Sequence, residues 1–173
     1  MTPLLFFFFF LFDATTGSLV EETCRKSSST NPNIKYEFCV TSLESDSSSH
    51  GAKNLQQLGG IAIKLYQQNV TSTASYVNGL LKKSSDPSLK AGLRDCLELY
   101  SDAIPTLKEA AEYYSNGRYD DANIKLSSVM DASTTCEDGF KEKPGVVSPL
   151  TGRNNDAFQL AAISLSIMNL VKQ

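Results

Sequence analysis

The sequence predicts an all-α protein: an up-down-up-down four-helix bundle preceded by a short N-terminal helical hairpin and closed by two disulfides. Three observations carry this. Apolar residues recur at alternating intervals of 3 and 4 over long stretches, which marks a helix with one inward stripe. The four cysteines stand in two pairs, each centred on a turn signal. Runs of alternating β-branched residues, which a half-buried strand needs, are absent.

The chain opens MTPLLFFFFFLFDATTGS, whose apolar run from Leu4 to Phe12 is nine residues long. A bilayer span needs about 20, so residues 1–17 read as a secretory signal peptide, cleaved near Gly17 or Ser18, although no Lys or Arg precedes the run. A membrane anchor is the alternative. The remainder, 18–173, is expected to form one soluble, monomeric domain of about 155 residues, ample for a buried core. It divides into an N-terminal hairpin (18–49) and a bundle (50–173). Loss of Asp13 with the leader takes the acids from 19 to 18 against 16 Lys plus Arg, a net charge of −2. No basic face is indicated, so neither nucleic acid nor anionic lipid is an expected partner.

Cys24 and Cys39 flank Thr30–Asn33 (TNPN), and the Asn31-Pro32 step lies midway between them. Serine-rich SLESDSSSHG (42–51) then joins hairpin to bundle. Leu55, Leu58, Ala62, Leu65, Tyr76 and Leu80 mark a helix over about 51–84, weakest at the polar, β-branched QQNVTST (67–73). Asp86-Pro87 opens the next helix with an N-cap and a proline at the first helical position. Its stripe is Leu89, Leu93, Cys96, Tyr100, Ala103, Leu107, Ala110 and Tyr114. Pro105 lies within it and is expected to kink rather than break it, because the stripe passes through without a change of phase.

Asn116-Gly117 supplies the next turn, and from Tyr119 a second stripe runs through Ala122, Leu126, Val129, Ser133 and Cys136 to Phe140, read as one helix. KEKPGVVSPLTG (141–152) is a loop, and FQLAAISLSIMNLV (158–171) is apolar nearly all round, so the last helix, from about Asn154, should be the most buried.

Cys96 precedes Asn116 by twenty residues and Cys136 follows it by twenty. On antiparallel helices rising about 1.5 Å per residue, both thiols reach the same height, roughly 30 Å from the bend. Both belong to inward stripes, so the geometry pairs Cys96 with Cys136 as a rung across a helical hairpin, and Cys24 with Cys39 by the same argument. The two closures are worth about 3 kcal/mol for the short loop and about 4 for the long one. Zinc is the competing reading, disfavoured by the lack of any CxxC and by a single histidine.

Nothing in the sequence points to catalysis. His50 lies in the serine-rich joint without a cysteine or acid placed to pair with it, and no serine sits in a G-x-S-x-G frame. Asp120-Asp121 and Glu21-Glu22 suit the positive ends of helix dipoles. No catalytic residue, cofactor or metal is expected. The only N-glycosylation sequon is Asn69-Val70-Thr71, and Asn69 falls on the stripe assigned as buried, which sets a glycan there against the helix phase.

The segments ETCRKS and NPNIKYEFC, LRDCLELYSDAIPTLKEA around Cys96, RYDDANIKLSSVMDASTTCEDGF through Cys136, and LAAISLSI together resemble the plant invertase and pectin methylesterase inhibitor family. TCEDGFKEK and VSPLT are especially similar to the plane-tree pollen allergens of that family. The resemblance spans 20–171 and implies the same bundle and the same cysteine pairing. It also implies a pollen or apoplastic inhibitor that occludes the cleft of a cell-wall carbohydrate enzyme stoichiometrically.

Invertase inhibitors of the family can carry Pro-Lys-Phe near the turn between the disulfide-linked helices, entering the enzyme's active site. The corresponding stretch is Gly117-Arg118-Tyr119, which keeps the order basic then aromatic and lacks the proline. Arg118 is suited to an active-site carboxylate and Tyr119 to a sugar-binding surface, although Tyr119 also starts the core stripe. The expected partner is therefore acid invertase (cell-wall or vacuolar), with pectin methylesterase as the alternative. A secreted helical binding or storage protein without an enzyme target is a third reading.

Overall fold

The computed structural model describes residues 17–173. The expected signal peptide lies outside the described residues except for Gly17. The described chain is helical throughout, without a strand.

Helix α1 (Leu19–Thr30) begins on a capping box, in which Ser18 Oγ accepts from Glu21 N and the Glu21 carboxylate accepts from Ser18 N. Asn31 Oδ1 then accepts from Asn33 N at 3.0 Å, turning the chain into α2 (Tyr36–Glu44). Cys24 and Cys39 are bonded across this hairpin with their Cα atoms 5.6 Å apart. The hairpin has its own apolar underside, Val20, Cys24, Ile34, Cys39 and Leu43, packed on Leu58, Ala62, Ile163 and Ile167 of the bundle. Buried Gln159 accepts from Lys35 N at 3.2 Å, and Ser166 Oγ donates to Ser27 Oγ at 2.8 Å, fixing the hairpin's position on the last helix.

A short 3-10 turn, Ser47–Gly51, leads to the bundle. Asp46 caps it through Ser48 N and pairs with Lys64 at 2.8 Å, and the lysine contact, with Ser48 assisting, holds the Asp46 carboxyl down to about 2.

Helix α3 (Leu55–Lys83) is continuous through the polar stretch 67–73. Its buried face matches the expected stripe at Leu58 and Ala62 and departs from it elsewhere. Leu58, Ala62, Tyr66, Val70, Thr73 and Val77 turn inward, while Leu65 and Leu80 are half-buried and Tyr76 is exposed. Large size misled the assignment, because the bundle selects residues by phase and takes Thr73 and Ala74 inside in preference to Tyr76.

Helix α4 (Pro87–Ser115) opens with Asp86 Oδ1 accepting from Ser88 N and Leu89 N, and it stays helical past Pro105. The following rod differs from the expectation of a single helix. It is divided into α5 (Tyr119–Met130) and α6 (Ala132–Lys141) at Asp131. The reason lies in α3: the Val129 carbonyl accepts from the buried Tyr66 hydroxyl at 3.1 Å. Ser133 and Thr134 also turn their hydroxyls back onto the Met130 and Asp131 carbonyls, a local alternative to the helical ladder. Apolar spacing survives this interruption, which is why the stripe alone did not reveal it.

Cys136, on α6, is bonded to Cys96 of α4 with their Cα atoms 4.8 Å apart. Helix α7 (Thr151–Val171) starts three residues before the expected Asn154 and buries Ala157 and the whole run Gln159–Ser164. The four rods α3, α4, α5–α6 and α7 enclose one core that includes Tyr66, Leu93, Tyr100, Leu107, Leu126 and Phe140.

Glycine sets two of the closest approaches. A Cβ on Gly92 would lie 2.6 Å from Cε1 of Phe140, and one on Gly59 would lie 2.1 Å from the Tyr114 hydroxyl. Each ring therefore seats directly on a helix backbone. Gly92→Ala should cost about 1–3 kcal/mol by overpacking, read as a lower urea midpoint at unchanged slope. Adding Phe140→Leu should make the pair of changes less damaging than their sum; strict additivity would show that Gly92 and Phe140 are not in conflict.

Candidate functional site

The end of the bundle formed by α4 and α5 presents the Gly117-Arg118-Tyr119 stretch. Its backbone is dictated locally: Gly117 has φ +71°, a left-handed conformation that suits glycine. Gly117 N donates to the Tyr114 carbonyl at 3.0 Å and Arg118 N to the Tyr113 carbonyl at 2.9 Å, closing a Schellman motif at the end of α4. The Asn116 side chain adds a further bond, Nδ2 donating to the Glu112 carbonyl at 2.8 Å. The turn is thus a defined knob.

Arg118 is exposed and held from two sides. Its Nε donates to Asp121 Oδ2 at 2.8 Å, and its guanidinium lies 4.4 Å from the centroid of the Tyr113 ring. Tyr119 is half-buried, edge-on to Tyr114 with ring centroids 5.2 Å apart. Tyr114 passes beneath it to donate its hydroxyl to the Gln56 carbonyl at 3.1 Å, over the space left by Gly59. Desolvation, assisted by Tyr119, keeps the Tyr114 phenol well above the ordinary tyrosine range. Asp120 pairs with Lys172 at the end of α7, and Lys125 pairs with Glu109 at 2.5 Å. The expected site residues are therefore adjacent, with the cation outward and the aromatic ring turned partly into the bundle.

Sequence reasoning missed the supporting groups. Asp121 stands three residues beyond Arg118, a spacing that was available to be read. Tyr113, Gln56 and Lys172 come from across the turn or from other helices and have no local signal. Chemically the tip offers a guanidinium for a carboxylate and a flat π face beside it. Among the described residues no cluster of His, Cys, Asp or Glu is placed to hold a metal ion.

Asn69 is half-buried on α3, and its Oδ1 is enclosed without a hydrogen-bond partner. It borders a cleft with Phe38, Ser42, Leu65, Asp156 and Leu160. The phase difference is now explicit: Tyr66 and Val70 point to the core, and Asn69 lies beside that face.

A second polar centre fastens α6 to α7. Glu137 accepts from Ser148 Oγ at 2.9 Å, Thr151 Oγ1 at 2.6 Å and Asn154 Nδ2 at 2.7 Å, and Asn154 Oδ1 accepts from the buried Tyr100 hydroxyl at 2.6 Å. Of these, Glu137, Thr151 and Asn154 line one side of an open groove of about 410 Å³ that includes Phe158.

The chain matches the plant invertase/pectin methylesterase inhibitor family over residues 18–167. It belongs to that family. Members of the family are inhibitors of enzymes and not enzymes themselves. A Platanus acerifolia protein named "Putative invertase inhibitor" is 44% identical over 156 residues, covering 90% of this chain and 87% of its own. "Pectinesterase inhibitor" of Actinidia deliciosa is 33% identical over 153 residues, covering 88% and 79%. A crystal structure of a mutant form of a pectin methylesterase inhibitor from Arabidopsis superposes with a TM-score of 0.71 at 27% identity, covering 84% of this chain and 96% of that one. The four-helix bundle with its N-terminal hairpin is thus the family architecture.

The Glu137 centre has a definite acid dependence. Partial burial pushes its carboxyl up, but bonds from Thr151, Asn154 and Ser148, with Lys141 nearby, outweigh this and leave it below the ordinary value. A folded value below the unfolded one gives stability that is complete above the ordinary glutamate range and is lost as pH falls through the lowered folded value. Glu137→Gln should therefore flatten the acid limb of a stability-versus-pH curve below about pH 4.5, as followed by urea midpoints. An unchanged acid limb would mean that Glu137 keeps an ordinary titration.

Proposed function

We propose that the chain is a secreted, extracellular inhibitor whose target is acid invertase, and that the Gly117–Tyr119 tip enters the enzyme's active site with Arg118 facing an acidic group. The observation carrying the choice of target is the preformed tip: an exposed guanidinium, aimed by Asp121 and Tyr113 on a turn set by Gly117. The Platanus relatives named as invertase inhibitors support it. No helix among the described residues is long and apolar enough to cross a membrane. The domain limits 18–173, the leader at 1–17, a monomeric state and a pollen allergen role belong to the same proposal.

Inhibition of pectin methylesterase is the second reading, favoured by the Actinidia relative and by the solved Arabidopsis structures. Both enzymes are to be titrated with oxidised protein, following sucrose hydrolysis for one and methanol release for the other. Loss of sucrose hydrolysis near an equimolar ratio is expected; full invertase activity at large excess would refute the target. Arg118→Glu should weaken inhibition by about tenfold or more while leaving the unfolding midpoint nearly unchanged, because the exposed Arg118–Asp121 pair contributes little to stability. Equal inhibition by this variant would remove the tip from the interface.

A further inference from the structure

The sequence contains two Asn-Gly steps, Asn78-Gly79 and Asn116-Gly117. They share their chemistry and differ in setting, so each serves as a control for the other. Asn78 lies inside α3, where the Gly79 N–H belongs to the helical ladder and Lys83 closes the helix further on. Asn116 lies at the C-cap of α4, where both it and Gly117 are exposed. Nothing stands within 4 Å of the position a Gly117 Cβ would take.

We propose that Asn116 is a site of spontaneous deamidation, a modification that ages the tip. The Gly117 backbone nitrogen loses its proton to a solvent base and attacks Asn116 Cγ. The new N–Cγ bond closes a five-membered imide as the Cγ–Nδ2 bond breaks, and nitrogen Nδ2 departs as ammonia after taking a proton from water. Water then opens the ring at either carbonyl, giving aspartate or isoaspartate. No oxidant, metal or enzyme is required.

Two bonds restrain this in the closed turn: Gly117 N to the Tyr114 carbonyl and Asn116 Nδ2 to the Glu112 carbonyl. Both belong to the outermost helical turn, the part of a helix that opens most readily, and one local opening releases nucleophile and electrophile together. The same release at Asn78 would require disruption of α3 within its length. A carboxylate at 116 would face the negative end of α4 and lose the Asn116–Glu112 bond. Isoaspartate would in addition lengthen the backbone immediately before Gly117 and Arg118.

The test uses the intact oxidised protein, incubated at neutral pH and physiological temperature for weeks and mapped by peptide mass spectrometry. A gain of about one dalton per site should accumulate at Asn116 at least about tenfold faster than at Asn78, and Asn116→Gln should abolish the fast component. Equal rates, a faster gain at Asn78, or no gain at Asn116 would overturn the proposal. The consequence for inhibition rests on the reading of the tip given above. If Asn116 is modified and inhibition is undiminished, the modification stands and the tip is not the contact. If fresh protein inhibits neither enzyme, the mass map still decides the chemistry.

Discussion

The bond between Cys96 and Cys136 is the constraint on which the exposed end of the molecule depends. It fixes α4 to α6 far from the turn, while Tyr114 and Tyr119 pack against each other beside the turn. A hairpin held at both ends cannot splay, and the loop closed by the sulfurs is long enough for its closure to remove substantial entropy from the unfolded chain. Gly92 and Gly59 make the arrangement possible, since each lets an aromatic ring from another helix rest on a backbone. The remaining contacts refine a geometry that sulfur and glycine have already limited to a narrow range.

Much of the fold was legible because two signals, periodicity and cysteine placement, are independent and agree. The stripe of α4 holds from its second member on: Leu93, Cys96, Tyr100, Ala103, Leu107, Ala110 and Tyr114 are all buried, and only Leu89, in the first turn, is half-buried. The stripe of α3 holds at Leu58 and Ala62 and fails further on, because Leu65 and Tyr76 outweigh Thr73 and Ala74 in hydrophobic bulk, whereas the bundle sorts by angle around the axis. The break at Asp131 was hidden for a different reason. It involves a hydroxyl from Tyr66, 63 positions away along the chain, which no local pattern records, beside the local Ser133 and Thr134 bonds to the Met130 and Asp131 carbonyls.

The tip shows the same division. Gly117 announced the turn, and the Schellman bonds follow from a glycine at that position. Arg118 and Tyr119 were singled out by the family resemblance, through the order basic then aromatic, and the structure separates their situations, one outward and one partly seated. Arg118 is aimed by Asp121 of its own helix and by Tyr113 of α4, whereas the supports beneath Tyr119 and Asp120, Gln56 and Lys172, come from α3 and the end of α7 and meet the tip only after folding. Family membership fits such a molecule, since an inhibitor has to present a surface in a fixed attitude and has no reaction of its own to perform.

The interruption of the third rod has a bearing on how such a scaffold diversifies. Because Tyr66 absorbs the Val129 carbonyl, α5 and α6 are separately anchored, the first by Ala122 and Leu126 and the second by Cys136 and Phe140. Substitutions in α5 can then alter the packing beneath the projecting end without changing the spacing of Cys136 and Phe140 on α6. A jointed strut of this kind separates the sulfur-linked foundation from the end that projects, so the two can tolerate substitution independently.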